Sequence, residues 1–310
     1  MTMQSEIEGR RYGPNAFGED LRRFTSLAYT LAATDFKLIY FGSVLGYIWS
    51  LVRPLLFFGV LYVVFTQVFQ VGTGTPYYSV ELLLGIILWT FFLQVTSGSV
   101  QSMLAREGLL RKMRFPRLVV PVAVMLTALF QLLTNFIPVM IFAVAAGVQP
   151  RLSWLFLPVI VVLFAILAVS IGMLLSVLFI RFRDILPIWD VTSQILFYAS
   201  PIIYPVWYYD KVHSPTTGPG KGGAPLHLHL NTLSKILMCN PVAALIAEAR
   251  RALVAGQGAL PGRGQSVNPS IVYALGSTSK ALIPLAIIVF LFVLGVWFFH
   301  HEAPRLSENL

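Results

Sequence analysis

Residues 152–180 read LSWLFLPVIVVLFAILAVSIGMLLSVLFI and contain no charged side chain. A helix needs roughly 20 predominantly apolar residues to cross about 30 Å of bilayer hydrocarbon. This stretch is longer than that, and it is too uniformly apolar to present a polar face to water. It therefore predicts a transmembrane helix.

Further stretches follow the same pattern on both sides of this helix. The sequence predicts crossings at 44–69, 82–103, 118–146, 185–204 and 281–300, of which 185–204 is the most polar. Together with 152–180 they give an all-α membrane protein with six transmembrane helices in a domain at 44–300. An even number of crossings places the flanking segments, 1–43 and 301–310, on the same side of the membrane.

The composition agrees with this fold class. The chain is 57% hydrophobic and 11% charged, whereas soluble domains carry about 25% charged residues. Its formal net charge of +9 could indicate nucleic-acid binding, but such proteins concentrate basic residues on one folded face. Here the basic residues flank apolar stretches, which favours contact with anionic membrane lipids and no contact with nucleic acid.

Neither cysteine nor histidine chemistry is predicted. The single cysteine, Cys239, cannot form an intramolecular disulfide, and its neighbours Asn240 and Pro241 offer no metal-ligand spacing. His227 and His229 form a pair in a loop but lack further ligands at a characteristic spacing. We therefore expect no metal site.

The orientation follows from the distribution of Lys and Arg. Five of these residues lie in the first forty positions and five in 106–117, whereas 70–78 has none. Short cytoplasmic loops are enriched in basic residues, so both termini are predicted to be cytoplasmic. The segment 201–280 also carries seven basic residues. Because the rule weakens for long loops, we place this segment on the outer side of the membrane.

Two cytoplasmic elements are predicted. Residues 19–38 have the pattern of an amphipathic interfacial helix within the segment 1–43, with apolar side chains such as Phe24 and Leu31 near one face and basic ones on another. The loop 104–117 reads LAREGLLRKMRFPR and predicts a short basic helix with exposed apolar residues. Those residues suggest a docked partner, with an ordinary positively charged anchor as the alternative.

Two charged residues stand inside predicted crossings. A charged side chain that faces lipid costs at least about 2.5 kcal/mol. Arg53 and Asp190 should therefore each face protein or a water-filled cavity. A structural ion pair between them is as compatible with the sequence as a role in transport.

The run SPIIYP at 200–205 should end the helix of the fifth crossing, because its two prolines cannot donate backbone hydrogen bonds. Non-helical backbone at membrane depth has to line protein or water. The next helical pattern, 233–254, is interrupted by an Asn-Pro pair and is too short to cross securely. We expect re-entrant helices here, between the fifth and sixth crossings.

Several short motifs occur in a fixed order. LG..W....P covers 45–54, L..K..FP....P covers 109–121, and RDI at 183–185, SPIIYP and an NP pair at 240–241 follow. In this order and spacing the chain resembles the permease subunits of the type 2 ABC exporters that carry O-antigen, teichoic acid and capsular polysaccharides. The resemblance extends over 36–300.

This resemblance implies a homodimer bound to two copies of a separate ABC ATPase, which holds ATP and Mg²⁺. It assigns contact with the ATPase to a coupling helix in the loop 104–117, through Arg106, Leu109, Leu110, Lys112, Met113, Phe115 and Pro116. The sequence has no GxxxxGK[ST] phosphate loop. The chain is therefore predicted to be a transport subunit without a cofactor of its own, and not an enzyme.

The resemblance also implies a path for the substrate. Aromatic rings suit sliding sugars, and the candidate channel residues are Trp49, Tyr62, Trp89, Phe92, Trp189 and Tyr198, with helix packing and interfacial belts as the alternative for any of them. The candidate outer gate comprises Pro201, Tyr204, Pro205, Asn240 and Pro241. Basic residues expected to attract the pyrophosphate head of a polyprenyl-linked glycan are Arg22, Arg23 and Lys37.

The predicted function is ATP-driven export of a lipid-linked polysaccharide across the bacterial cytoplasmic (inner) membrane. Export of a small hydrophobic drug or antibiotic is the alternative within the same architecture. A membrane-bound glycosyltransferase would need a cluster of carboxylates or histidines at a membrane edge. Asp184 beside Arg183 is the only candidate, and a helix-terminal ion pair explains it more simply.

Overall fold

The computed structural model describes residues 17–40, 46–69, 77–105, 118–204, 236–254 and 278–302. Within these ranges the chain is helical and contains no strand. The long helices are α1 (Phe17–Tyr40), α2 (Gly46–Val63), α3 (Tyr78–Ala105), α4 (Val119–Ala145), α5 (Phe156–Arg181), α6 (Ile185–Ala199), α7 (Pro241–Val254) and α8 (Thr278–Glu302). A π-helical turn, Val64–Val68, extends α2, and a 3₁₀ turn, Leu152–Leu155, leads into α5.

Five stretches of helix in the described residues are long and apolar enough to cross a membrane. They are Ile48–Val68, Tyr78–Ser102, Val119–Ala145, Leu152–Phe179 and Leu282–His301. They coincide with the predicted crossings at 44–69, 82–103, 118–146, 152–180 and 281–300, so these five predictions are confirmed as apolar helices of sufficient length.

The predicted crossing at 185–204 differs. Helix α6 has 15 residues, about 22 Å at 1.5 Å per residue, which is shorter than the bilayer hydrocarbon. It ends at Ala199 because Ser200 adopts an extended conformation and Pro201 follows. The count of six crossings therefore stays a prediction.

Helix α3 lies at the centre of the core. Between Leu82 and Leu88 its large apolar side chains are almost completely buried against α4 and α5. Small residues allow neighbouring helices to approach closely: a Cβ on Gly172 of α5 would lie 2.6 Å from Ser99 Oγ of α3, and one on Gly295 of α8 would lie 2.9 Å from Ser170 O.

Helix α1 packs along α4. Ala28 and Ala32 are buried at the contact, Thr127 Oγ1 donates to Ala32 O at 3.4 Å, and the Phe36 ring lies 5.7 Å edge-to-face from Phe130. The predicted helix at 19–38 is present, and its position on the membrane surface stays a prediction.

Helix α2 is peripheral. Only 6% of its apolar span is buried, and its contacts with the core include Phe58, whose ring meets Phe142 of α4 edge-to-face at 5.7 Å. Most of its apolar side chains point away from the other helices that the structure describes. They need another partner, either lipid or protein.

Candidate functional site

The non-helical segment 200–204, directly after α6, is buried in the protein. Ser200, Ile202 and Ile203 are at most 2% exposed. The bend is tight, since Ile202 N donates to Ser200 O at 2.7 Å. Buried carbonyl groups without helical partners are costly unless a donor reaches them.

The guanidinium of Arg250, on α7, supplies those donors. Its Nη1 donates to Pro201 O at 2.5 Å and to Tyr204 O at 3.5 Å, and its Nη2 donates to Ile202 O. Its Nε donates to Glu81 O, in the first turn of α3, at 3.1 Å. One side chain thus joins α7, the segment 200–204 and the start of α3.

The surroundings of this guanidinium partly offset the cost of burying its charge. Arg250 is 3% exposed, and the buried carboxylate of Glu81 attracts it electrostatically. Gly85, one turn further along α3, makes room, because a Cβ there would lie 2.8 Å from Arg250 Nη2. A paired and hydrogen-bonded arginine can be held inside a protein where a lone one cannot.

Two further contacts hold the same segment. Asn240 Nδ2 donates to Ser200 Oγ at 3.2 Å, while Asn240 Oδ1 accepts from Val242 N at 3.0 Å and so caps the start of α7. The Tyr78 hydroxyl donates to Ile203 O at 2.6 Å. We call the segment 200–204 and its three partners Arg250, Asn240 and Tyr78 the clamp.

The comparisons with known proteins bear on this arrangement. Residues 26–212, which include most of α1, all of α2 to α6 and the segment 200–204, match the family described as "ABC-2 type transporter". The chain belongs to the ABC-2 type transporter family. It is therefore a multi-pass membrane subunit of an ABC exporter, and membership implies an ABC ATPase partner.

Three curated relatives of this ABC-2 permease carry the name "O-antigen export system permease protein RfbA". Two from Klebsiella pneumoniae are 35% and 34% identical over 181 residues, which is 57% of this chain and 68% of each relative. One from Myxococcus xanthus is 26% identical over 187 residues, 60% of this chain and 71% of the relative.

Four of the five predicted gate residues of the ABC-2 permease lie in the clamp or directly beside it. Pro201 and Tyr204 lie in the segment that Arg250 holds, and Asn240 with Pro241 begins the helix that carries Arg250. Pro205 lies outside the described residues. The role of this region as an outer gate stays a prediction.

The predicted channel aromatics fall into two groups. Trp89, Phe92 and Trp189 are buried in the core, with Trp89 5.4 Å and Trp189 6.1 Å from the Phe92 ring. The Trp189 indole nitrogen has no hydrogen-bond partner among the described residues. Trp49 and Tyr62 on α2 are exposed, as is Tyr198 on α6.

Arg53 and Asp190 are both exposed, on α2 and α6. These helices are neighbours, since the Phe57 and Phe197 rings lie 6.3 Å apart. Within the described ranges the two charges form no ion pair with each other. The intrachain pair that the sequence left open is therefore not present in this arrangement.

The remaining predicted sites are the basic residues of α1 and the coupling residues of the loop 104–117. Arg22, Arg23 and Lys37 are exposed on α1, away from the buried Ala28 and Ala32. All seven predicted ATPase-coupling residues, Arg106, Leu109, Leu110, Lys112, Met113, Phe115 and Pro116, lie outside the described residues.

Sequence reasoning missed Arg250, Glu81 and Tyr78. Arg250 stands in ALIAEARRALV beside Arg251, and sequence analysis only counted it among the seven basic residues of 201–280. The signal that could have found it is its position on the apolar side of α7, together with a lone Glu81 at the start of an apolar crossing. Two opposite charges in apolar surroundings are expected to lie close to each other.

Proposed function

We propose that this chain is the membrane subunit of an ATP-driven exporter that carries a lipid-linked polysaccharide, such as an O-antigen, across the bacterial cytoplasmic membrane. The names of the curated relatives support the substrate class. Two copies of the chain form the transmembrane unit, and two copies of a separate ABC ATPase bind ATP and Mg²⁺ and drive it.

The single observation that carries the proposal is the set of polar and aromatic residues exposed on the neighbouring helices α2 and α6. Arg53 and Asp190 are exposed, and so are Trp49, Tyr62 and Tyr198. In lipid each charge would cost at least about 2.5 kcal/mol. A second copy of the chain faces these helices across a water-filled path, and hydration of the two charges removes that cost. The aromatic rings and charges then surround the sugar chain.

The other elements take their places around this path. The pyrophosphate head of the substrate is attracted to Arg22, Arg23 and Lys37 on an interfacial α1 at the cytoplasmic side. The ATPase docks on the loop 104–117. Helix α6 with the segment 200–204 forms the fifth of six crossings, and the clamp with a re-entrant α7 closes the outer end as a gate. Both termini are cytoplasmic.

The experiment is deletion of the gene in its native host, complemented by the intact gene. We expect surface polysaccharide to disappear and polyprenyl-linked glycan to accumulate inside the cell, because synthesis continues while export stops. Unchanged surface polysaccharide together with increased sensitivity to a hydrophobic antibiotic would contradict the proposal and favour export of a small molecule.

A further inference from the structure

A groove with a volume of about 290 Å³ lies on the side of the chain formed by α5, α7 and α8. Its walls are mostly apolar: Phe156, Val159 and Leu163 of α5, Leu245 of α7, and Leu285 and Ile288 of α8. Because α5 and α8 are apolar enough to cross the membrane, these walls lie at the depth of the lipid chains.

The length of the groove matches one leaflet. From Ser153 to Leu163 it follows about 15 Å of helix, roughly half the thickness of the bilayer hydrocarbon. Its polar end is at Ser153, next to the start of the apolar span Leu152–Phe179. That end therefore lies near the lipid headgroups.

Charged groups of both signs also line the groove. Arg251 Nε donates to Glu248 Oε2 at 2.7 Å, and the Arg251 side chain is 47% exposed. Among the described residues the other guanidinium nitrogens of Arg251 have no partner. Ser153 Oγ is buried without a hydrogen-bond partner in the same part of the chain. The groove is thus an apolar slot whose lining also includes a cation, an anion and a buried hydroxyl.

We propose that this groove binds one zwitterionic diacyl phospholipid with a primary ammonium, of the phosphatidylethanolamine type. An acyl chain fills the slot, the phosphate accepts hydrogen bonds from Arg251 and Ser153, and the ammonium donates to Glu248. A purely anionic headgroup would place its negative charge beside the Glu248 carboxylate. The inference rests on the membrane placement in the proposed function, and it needs neither the glycan nor the ATPase.

The test uses the full-length chain in nanodiscs of mixed phosphatidylethanolamine and phosphatidylglycerol, with a trace of phosphatidylethanolamine bearing a photoactivatable acyl chain. Peptide mass spectrometry locates the label. We expect it to concentrate on 153–163 and 284–288. Val159→Trp, which fills the slot, should abolish this concentration, whereas Val162→Trp, on the same helix and equally exposed but outside the groove, should leave it unchanged.

The headgroup is tested with Arg251→Gln, for which Arg181→Gln on the exposed end of α5 is the control. Loss of one charge-assisted contact should reduce groove labelling roughly tenfold, equivalent to about 1.4 kcal/mol. Uniform labelling of the lipid-facing helices, or equal behaviour of the two tryptophan variants, overturns the proposal. Competition by phosphatidylglycerol as strong as that by phosphatidylethanolamine also overturns it. None of these outcomes affects the export proposal, which deletion of the gene tests separately.

Discussion

At the scale of single residues, the buried Arg250 explains why a non-helical segment can sit inside an apolar protein. It satisfies the carbonyls of Pro201, Ile202 and Tyr204 at once. A buried acceptor that loses its donor costs about 1–3 kcal/mol. The clamp therefore depends on this one side chain more than on either proline that sequence analysis singled out.

We predict that Arg250→Met lowers the thermal unfolding temperature of the purified chain substantially and exposes the segment 200–204 to protease. Arg251→Met is the matched control, because its exposed ion pair with Glu248 contributes only about 0–1 kcal/mol. Equal unfolding temperatures for the two variants would show that the clamp does not hold the segment.

A second prediction concerns the space beside the guanidinium. In Gly85→Ala the new Cβ would lie 2.8 Å from Arg250 Nη2, so the guanidinium has to shift and its hydrogen bonds weaken. We expect a loss of about 1–3 kcal/mol, typical of overpacking. In Gly59→Ala the Cβ meets no atom within 4 Å, and the helix should be unaffected or slightly stabilised. Thermal unfolding in detergent compares them, and the opposite order would contradict the account.

At the scale of elements, α2 and α6 carry the argument for a second copy. With Cys239 replaced by Ala, Val60→Cys on the exposed side of α2 should form a disulfide-linked dimer in oxidised membranes. Val289→Cys, equally exposed on α8, is the control and should stay monomeric. A dimer formed through Val289 alone would place the second copy on the other side of the chain.

The loop 104–117 is the element expected to bind the ATPase. We predict that Leu110→Asp abolishes co-purification of the ATPase, because it places a charge among the apolar residues of the docking surface. Leu152→Asp is the control, since Leu152 is highly exposed at the predicted outer side. Retention of the ATPase by the Leu110 variant would favour the simpler interpretation of this loop as a membrane anchor.

The long apolar helices were predictable because their signal is local: a run such as 152–180 has only one stable conformation in lipid. The break at 200–204 was predictable for the same reason, from Pro201. The predicted crossing at 185–204 included the residues after Ala199 and was therefore longer than α6. Sequence alone did not show that these residues would turn inward and be buried.

The clamp was only half predictable. Proline and Asn-Pro signals marked Pro201, Asn240 and Pro241, but Arg250 and Glu81 are 169 residues apart in sequence. Their meeting depends on how α7 packs against α3, which no local pattern encodes. Sequence alone also could not distinguish the buried aromatic residues from the exposed ones, since tryptophan suits a buried core and an exposed helix face equally.

At the scale of the whole molecule, we propose that a lipid-linked polysaccharide moves along a path between two copies of this ABC-2 membrane subunit. The polar and aromatic side of α2 and α6 would line that path, and Asp190 would lie along it. Removing this charge should slow transport while leaving the fold intact, because Asp190 is exposed on α6 and outside the packed core.

The most direct measurement is transport in inverted membrane vesicles that contain this chain and its ATPase, with radiolabelled polyprenyl-pyrophosphate-linked glycan added outside. The account predicts ATP-dependent movement of the glycan into the vesicle lumen, slower movement with Asp190→Ala, and none without this chain. Glycan that stays outside in the presence of ATP and an active ATPase would contradict it.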